Sequence, residues 1–389
     1  MRKSSAKTLG ELLKNDAMKR PDFYLFSPDE TTSNKLDAVY EVESRAWANL
    51  PKKSWDMKES DGGRIVELLS ENTLFAVMLG HILAGGSAMM TSYEAFFSII
   101  TSQIIQHLKF LSQSENVAWR NQYPAVNLLS TSTCWRQDHN GFSHQSPVLI
   151  STLLDYPENR VNCFFPVDSE SMATTYEYMM ESKNVVNLVT FNKTEEPQYI
   201  DENHAKYQLL NGASIFGFAS DGDTFYLESE ANHFDFIFTA AGDIATREAL
   251  EAMKLVREDF PNLKLRFVNI YALSHERIGT TNRPLSQEMF DKIYTKNVPI
   301  IANFHGYKNT LKNILRNYTN TDLFSHGFEE KGSTTTPLEM LTVNHASRFD
   351  LAIDVARKMN REDIVKKYED IIAKNHEHAC EFGVDLFEL

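Results

Sequence analysis

The sequence predicts an α/β protein of two domains, each built on a mainly parallel sheet flanked by helices. Three observations carry that prediction. Short β-rich apolar runs recur along the chain, amphipathic stretches separate them, and 389 residues exceed what one hydrophobic core holds. Near-continuous apolar strands alternating with helical patterns imply sheets covered on both faces.

The elements follow in order. The first strand group is 125–131 (AVNLLST), 161–167 (VNCFFPV) and 185–192 (VVNLVTFN); the second is 234–240 (FDFIFTA), 264–271 (KLRFVNIY) and 298–304 (VPIIANF). Helical periodicity covers 66–83, 93–112, 168–182, 245–258, 307–316, 338–358 and 362–380. The acidic, weakly periodic stretch 196–232 marks the division, giving a first domain over 1–200, a connector over 201–232 and a second domain over 233–389. Thr336-Pro337-Leu338-Glu339 reads as a capping box with proline at the first helical position. Thr91-Ser92-Tyr93-Glu94 has the same form, so Glu94 reads as a cap.

Composition excludes several classes. A formal net charge of −14 argues against general nucleic-acid binding, which needs a basic footprint. Cys134, Cys163 and Cys380 are few and widely spaced, so neither a zinc knuckle nor a disulfide framework is indicated. No apolar leader opens the sequence and no run reaches the ~18 apolar residues of a membrane span. The expectation is a cytoplasmic protein with no membrane partner.

The densest hydrogen-bonding stretch is CWRQDHNGFSHQ, residues 134–145, which directly follows a strand. In parallel α/β sheets, ligands bind in the loops beyond the carboxyl ends of strands. Gln137, Asp138, His139, Asn140 and His144 surround Gly141, and convergence of the two histidines depends on the chain turning there. The residues alone leave two readings, a rigid loop whose polar groups satisfy one another or a site for an anionic or polyhydroxylated ligand. A zinc site lacks a third ligand at suitable spacing. On helical geometry Glu71 falls between Leu68, Leu74, Phe75 and Met78, where it either exchanges a proton with a buried heterocycle or shares a half-exposed edge with Arg64 and Glu67. Lys35, Lys193, His305 and Lys308 are scattered cations, of which Lys193 and the His305 segment follow strand ends.

Taken together, FSPDETTSNKL, TSYEAFF, QHLKFL, WRQDHNGFSHQ, FFPVDS, AAGDIATREAL, LRFVNIY, FHGY and HGFEEKGSTTTP occur in an order that resembles the C-terminal half of a bacterial-type phosphoketolase. That family uses thiamine diphosphate to cleave ketose phosphates (xylulose 5-phosphate, fructose 6-phosphate) with inorganic phosphate, giving acetyl phosphate and an aldose phosphate. The resemblance implies a transketolase-type pyrimidine-binding domain followed by the family's C-terminal α/β domain. It implies that Glu71 is the glutamate bonding the cofactor's aminopyrimidine ring, and that Tyr93 lies beside the cofactor. It further implies that Gln137, His139, Asn140 and His144 contact sugar phosphate and phosphate, with His139 and His144 catalytic, and that Lys35 and Lys193 bind phosphate.

The resemblance also implies what must come from elsewhere. The family's diphosphate-and-metal domain precedes this region, so Mg²⁺ is expected on a partner domain and no metal site on this chain. The chain is expected to work as a homodimer or a hetero-oligomer with a diphosphate-binding chain, and to be inactive alone. Local departures are Asn72 where the family has histidine, Gly85-Gly86-Ser87-Ala88 for GRHG, Lys35 for an arginine, and Asn192-Lys193-Thr194-Glu195 for GKQP. They keep open a non-catalytic, repurposed homologue, and the architecture also admits a split transketolase-like subunit.

Overall fold

The computed structural model describes residues 2–28, 30–46, 54, 59–137, 139–224, 228–229 and 233–387. Asp138 of the polar loop lies outside them. The chain packs into two units, Met1–Ser132 with Glu158–Ala205, and Thr133–Pro157 with Lys206–Leu389.

In the first unit eight strands lie side by side in the order Val161–Phe164, Val186–Thr190, Val126–Thr131, Ala88–Tyr93, Tyr24–Ser27, Ile65–Glu67, Arg45–Ala46 and Glu59–Ser60. Every pairing among them is parallel. The central strands are buried along their length, as a sheet covered on both faces requires. Buried asparagines fix their register: Asn162 Nδ2 donates to Asn187 Oδ1 at 2.9 Å, and Asn187 Nδ2 to Asn127 Oδ1 at 2.8 Å. A one-residue slip would strand those amides in the core. The helix Ser169–Glu181 starts in a capping box formed by Asp168 and Ser171.

Two sequence expectations fail here for local reasons. The pattern at 66–83 is not one helix: Ile65–Glu67 is a strand paired with Leu25–Ser27, and the helix is Glu71–Leu83. Ser70, extended at φ −166°, accepts from Thr73 N and starts the helix at Glu71. Glu71 therefore sits in the first turn rather than midway along an apolar face, and Arg64 and Glu67 share no helix with it. The capping box at Thr91–Glu94 does not form either. Thr91 and Ser92 are paired in the strand Ala88–Tyr93, and Glu94 opens a 3-10 helix with its side chain buried.

The second unit holds a sheet in the order Ala213–Ile215, Leu265–Ile270, Phe236–Ala241, Ile300–Tyr307 and Leu323–Phe328. Only its first pairing is antiparallel. A meander, Ala272–Ser274, Arg277–Thr280 and Arg283–Pro284, follows it. The expected helix over 338–358 is two, Pro337–Val343 and Arg348–Lys358, separated where His345 adopts φ 53°. The capping box at Thr336 is also absent. Asp385, from the tail, bonds Thr336 Oγ1 and accepts from Leu338 N at 2.9 Å, which frees Glu339 for another partner.

Candidate functional site

In the first unit the chemistry gathers beyond the carboxyl ends of the central strands. The segment after Tyr24–Ser27 carries Glu30, Ser33, Asn34 and Lys35; the strands Ala88–Tyr93, Val126–Thr131 and Val186–Thr190 lead to Tyr93, Ser132 and Lys193. Tyr93 N donates to Glu30 Oε2 at 3.0 Å, and Tyr93 OH to Ser33 Oγ at 3.3 Å. Lys193 Nζ donates to Ser132 Oγ at 2.8 Å and stands 5.0 Å from the centre of the Tyr93 ring. Asn34 ties the strand ends together, accepting from Thr131 Oγ1 at 2.6 Å and donating to Thr91 Oγ1 at 3.4 Å. Ser92 Oγ donates to Glu71 Oε1 at 3.4 Å. Of the four residues singled out in this unit, the structure brings Tyr93 and Lys193 into contact, sets Glu71 against Ser92 next to Tyr93, and leaves Lys35 exposed at φ 63°.

Burial sets the electrostatics. It pushes the Glu30 carboxyl up to about 8; the Glu71 charge adds to this, while the Tyr93 N–H, Asn34 and Lys193 oppose it. Burial likewise lowers Lys193, and the like charge of Lys35 pushes the same way against Glu30. An acid raised and a base lowered thus stand at adjoining strand ends, a pattern found where proton chemistry is done. Glu30 was missed by sequence reasoning. Its signal was present, a carboxylate directly after a buried strand, but nothing in the sequence gave its burial.

In the second unit the polar loop is held from below and open above. Trp135 Nε1 donates to His305 O at 2.8 Å, and Cys134 and Trp135 pack with Ile244, Phe328 and Met340. His305, expected only to lie after a strand, is thus the backbone anchor of this loop. Gln137 is buried and accepts from Asn140 Nδ2 at 2.6 Å. Gly141 turns the chain at φ 75°. His139 and Asn140 are exposed; His144 is half-exposed and pairs with Ser143 Oγ at 2.9 Å. Gln145 braces the loop, donating to Gln137 O at 3.1 Å and Ser333 O at 2.8 Å. A Cβ on Gly332 would meet Gln145 Oε1 at 1.9 Å and the Phe142 ring at 2.5 Å, so a larger residue there would push both side chains aside. Lys308 is occupied by Glu329.

Comparison with known proteins places these features in a family. Residues 4–182 match the model described as D-xylulose 5-phosphate/D-fructose 6-phosphate phosphoketolase, and residues 193–389 match its C-terminal domain. A probable phosphoketolase of Thermosynechococcus vestitus is 35% identical over 98% of this chain and 47% of its own length. Probable phosphoketolase 1 of Lactiplantibacillus plantarum is 32% identical over 97% and 48%. The chain thus spans about half the length of the curated relatives it matches. Among solved structures, a Pichia stipitis transketolase with sedoheptulose 7-phosphate superposes with TM-score 0.66 at 15% identity, covering 95% of this chain and 47% of that one. A split-gene transketolase, described as an inactive beta4 tetramer, superposes with TM-score 0.59 at 13% identity, covering 91% and 97%. These likenesses establish a transketolase-like α/β fold.

Proposed function

The chain belongs to the phosphoketolase family, and from that premise we propose that it is the pyrimidine-binding half of a thiamine-diphosphate-dependent phosphoketolase. In this reading the pyrimidine-binding domain comes from residues 1–200 and the family's C-terminal domain from 233–389. Thr133–Pro157 packs with the second unit, and the stretch 201–232, expected as a connector, contributes the strand Ala213–Ile215 to that unit's sheet. The substrates are a ketose phosphate and inorganic phosphate. A diphosphate-binding unit outside these residues, bearing Mg²⁺, completes the site.

The observation that carries the proposal is the strand-end cluster of Glu30, Glu71, Tyr93 and Lys193. It suits the pyrimidine end of thiamine diphosphate. Glu71 is a half-buried carboxylate whose closest partner is a long bond from Ser92, leaving acceptor capacity for a ring N–H. Thiamine diphosphate, when bound, supplies the carbon nucleophile that the protein itself lacks. Glu71 holds a proton at the pyrimidine, and Tyr93 lies beside the ring. Glu30, kept protonated near neutral pH by burial, donates to a developing oxyanion. Lys193, with Lys35, clamps a phosphate whose negative charge opposes the lowering of Lys193 by burial. Gln137, Asn140, His139 and His144 orient the sugar phosphate, the two histidines moving protons at its hydroxyls.

Leu68, Leu69, Val77 and Leu83 are exposed apolar side chains on and just before the Glu71 helix, which supports an oligomer, either a homodimer or a complex with the diphosphate-binding chain. The test mixes this chain with the diphosphate-binding half of a relative, supplies cofactor, Mg²⁺, phosphate and fructose 6-phosphate, and traps acetyl phosphate as its hydroxamate. Product from the mixture and none from either half supports the proposal; product from this chain alone, or none from any mixture, overturns it. Coverage of 97% of a split-gene transketolase chain favours one second reading, a split transketolase-like subunit. That reading gives ketol transfer between sugars and no dependence on phosphate.

A further inference from the structure

Away from the strand-end residues, the second unit carries another cluster of reactive side chains. His376 and Cys380 lie one turn apart on the helix Glu362–Phe382, and so share a face. His376 Nδ1 is 2.6 Å from Glu339 Oε1, on a carboxylate only 8% exposed. An ionised carboxylate only accepts, so His376 Nδ1–H donates to it, which leaves the lone pair of a neutral imidazole on Nε2. Cys380 Sγ stands 3.8 Å from Nε2 and 4.0 Å from the committed Nδ1. Thiol, imidazole and carboxylate are therefore neighbours, with Nε2 the ring nitrogen left to take the thiol proton.

The cluster opens into a cavity of about 680 Å³, lined also by Lys331, Ser333, Thr334, Thr335 and Thr336. That wall carries the hydroxyls of Ser333, Thr334 and Thr335 and the half-exposed Lys331 ammonium, which also pairs with Glu329 at 3.1 Å; the set suits a small polar molecule bearing carboxylates. The other two thiols offer no competing site. Cys134 and Cys163 are 0% and 1% exposed, and burial pushes the Cys163 thiol up.

We infer that Cys380 is a thiol-modification site which exchanges with small, carboxylate-bearing disulfides, His376 acting as its base and Glu339 orienting the imidazole. The Cys380 proton passes to His376 Nε2, and the thiolate attacks one sulfur of the disulfide. A Cys380–sulfur bond forms as the original S–S bond breaks; the departing thiolate takes the proton from the imidazolium and leaves as the thiol. Cys380 is oxidised to the disulfide level and half of the reagent is reduced. An excess of free thiol runs the exchange backwards.

The site stands independently of the ketose-phosphate reading, but an adduct there borders the segment whose Ser333 carbonyl holds Gln145, and through it the polar loop.

The experiment incubates the intact chain with glutathione disulfide at neutral pH and follows adducts by intact mass and peptide mapping. One adduct per chain at Cys380, reversed by free thiol, is the expected result. His376→Ala is expected to slow it roughly ten-fold or more, with added imidazole restoring the rate. Glu339→Gln is expected to slow it while leaving the thermal melt near that of the wild type. A His376→Ala rate equal to wild type, a slowed rate that imidazole does not restore, or equal labelling of Cys134 and Cys163 would overturn the inference.

Discussion

At the scale of single residues, Glu30 shows how a position gains chemistry from its surroundings. Its carboxyl is ordinary by sequence, yet burial and Glu71 raise it from 4.5 to about 8. The folded state thus binds a proton more tightly than the unfolded state across that window, so stability falls as pH rises from about 4.5 to about 8, by at most about 1.4 kcal/mol per pH unit. Glu30→Gln keeps the shape and the acceptor for Tyr93 N but removes the ionisation. Urea unfolding over that range is expected to give a flatter pH dependence for the variant; parallel curves would show that the carboxyl titrates normally. Glu71→Gln should behave differently. Glu71 is half-buried and held by one long bond, so the substitution is expected to change stability by less than about 1 kcal/mol. It is expected to abolish acetyl phosphate formation by the reconstituted complex, and retained activity would remove Glu71 from the chemistry. Of these two residues, Glu71 was legible through its motif, whereas Glu30 needed the three-dimensional approach of Tyr93 and Asn34.

At the scale of elements, the boundaries teach more than the elements themselves. Apolar runs located the buried strands well, because a strand covered on both faces writes a continuous signal. Periodicity could not see Ser70 ending one element and opening the next, since Ile65, Val66, Leu68 and Leu69 fit a helix pattern as readily as a strand and turn. Ser70→Ala is expected to cost about 1 kcal/mol, read from denaturant melts, through loss of the N-cap that places Glu71 in the first turn. The helix Pro337–Val343 is a second case: its local TxxE motif was outcompeted by Asp385, almost fifty residues on, a choice that local sequence does not encode. His326 links two further elements, donating from Nδ1 to His345 O at 2.6 Å and from Nε2 to Asp354 Oδ2 at 2.8 Å. Burial opposes its charge, but Asp354 and the His345 carbonyl outweigh it and raise its pKa above 6.5. This contribution is therefore fully present below about pH 6.5 and lost as pH rises through the higher folded value. Asp354→Asn is expected to destabilise the protein most at the acidic end of that range, and equal destabilisation at all pH values would contradict a charged His326.

At the scale of the whole molecule, the unanswered apolar surface is the feature that asks for a partner. The helix Glu71–Leu83 buries Leu74, Phe75, Met78 and Ile82 inward, yet Val77 is 51% and Leu83 41% exposed, with Leu69 at 79% just before it. A helix that is apolar nearly all round is stable in water only when both faces are covered. By helical register Glu71 shares the inward face with Leu74, Phe75 and Met78, so a chain docking on Val77 and Leu83 would cover the opposite face of the same helix. Charge works against casual association, since a chain of net −14 repels its copies unless a specific apolar contact compensates. Val77→Glu puts a carboxylate on the open face without touching the core. Sedimentation velocity is expected to show the wild-type chain as an oligomer and the variant shifted toward monomer, with an unchanged thermal melt. The same variant, mixed with the diphosphate-binding half, is expected to lose acetyl phosphate formation together with complex formation. An oligomer that persists in Val77→Glu would move the interface to another face and detach assembly from the Glu71 helix.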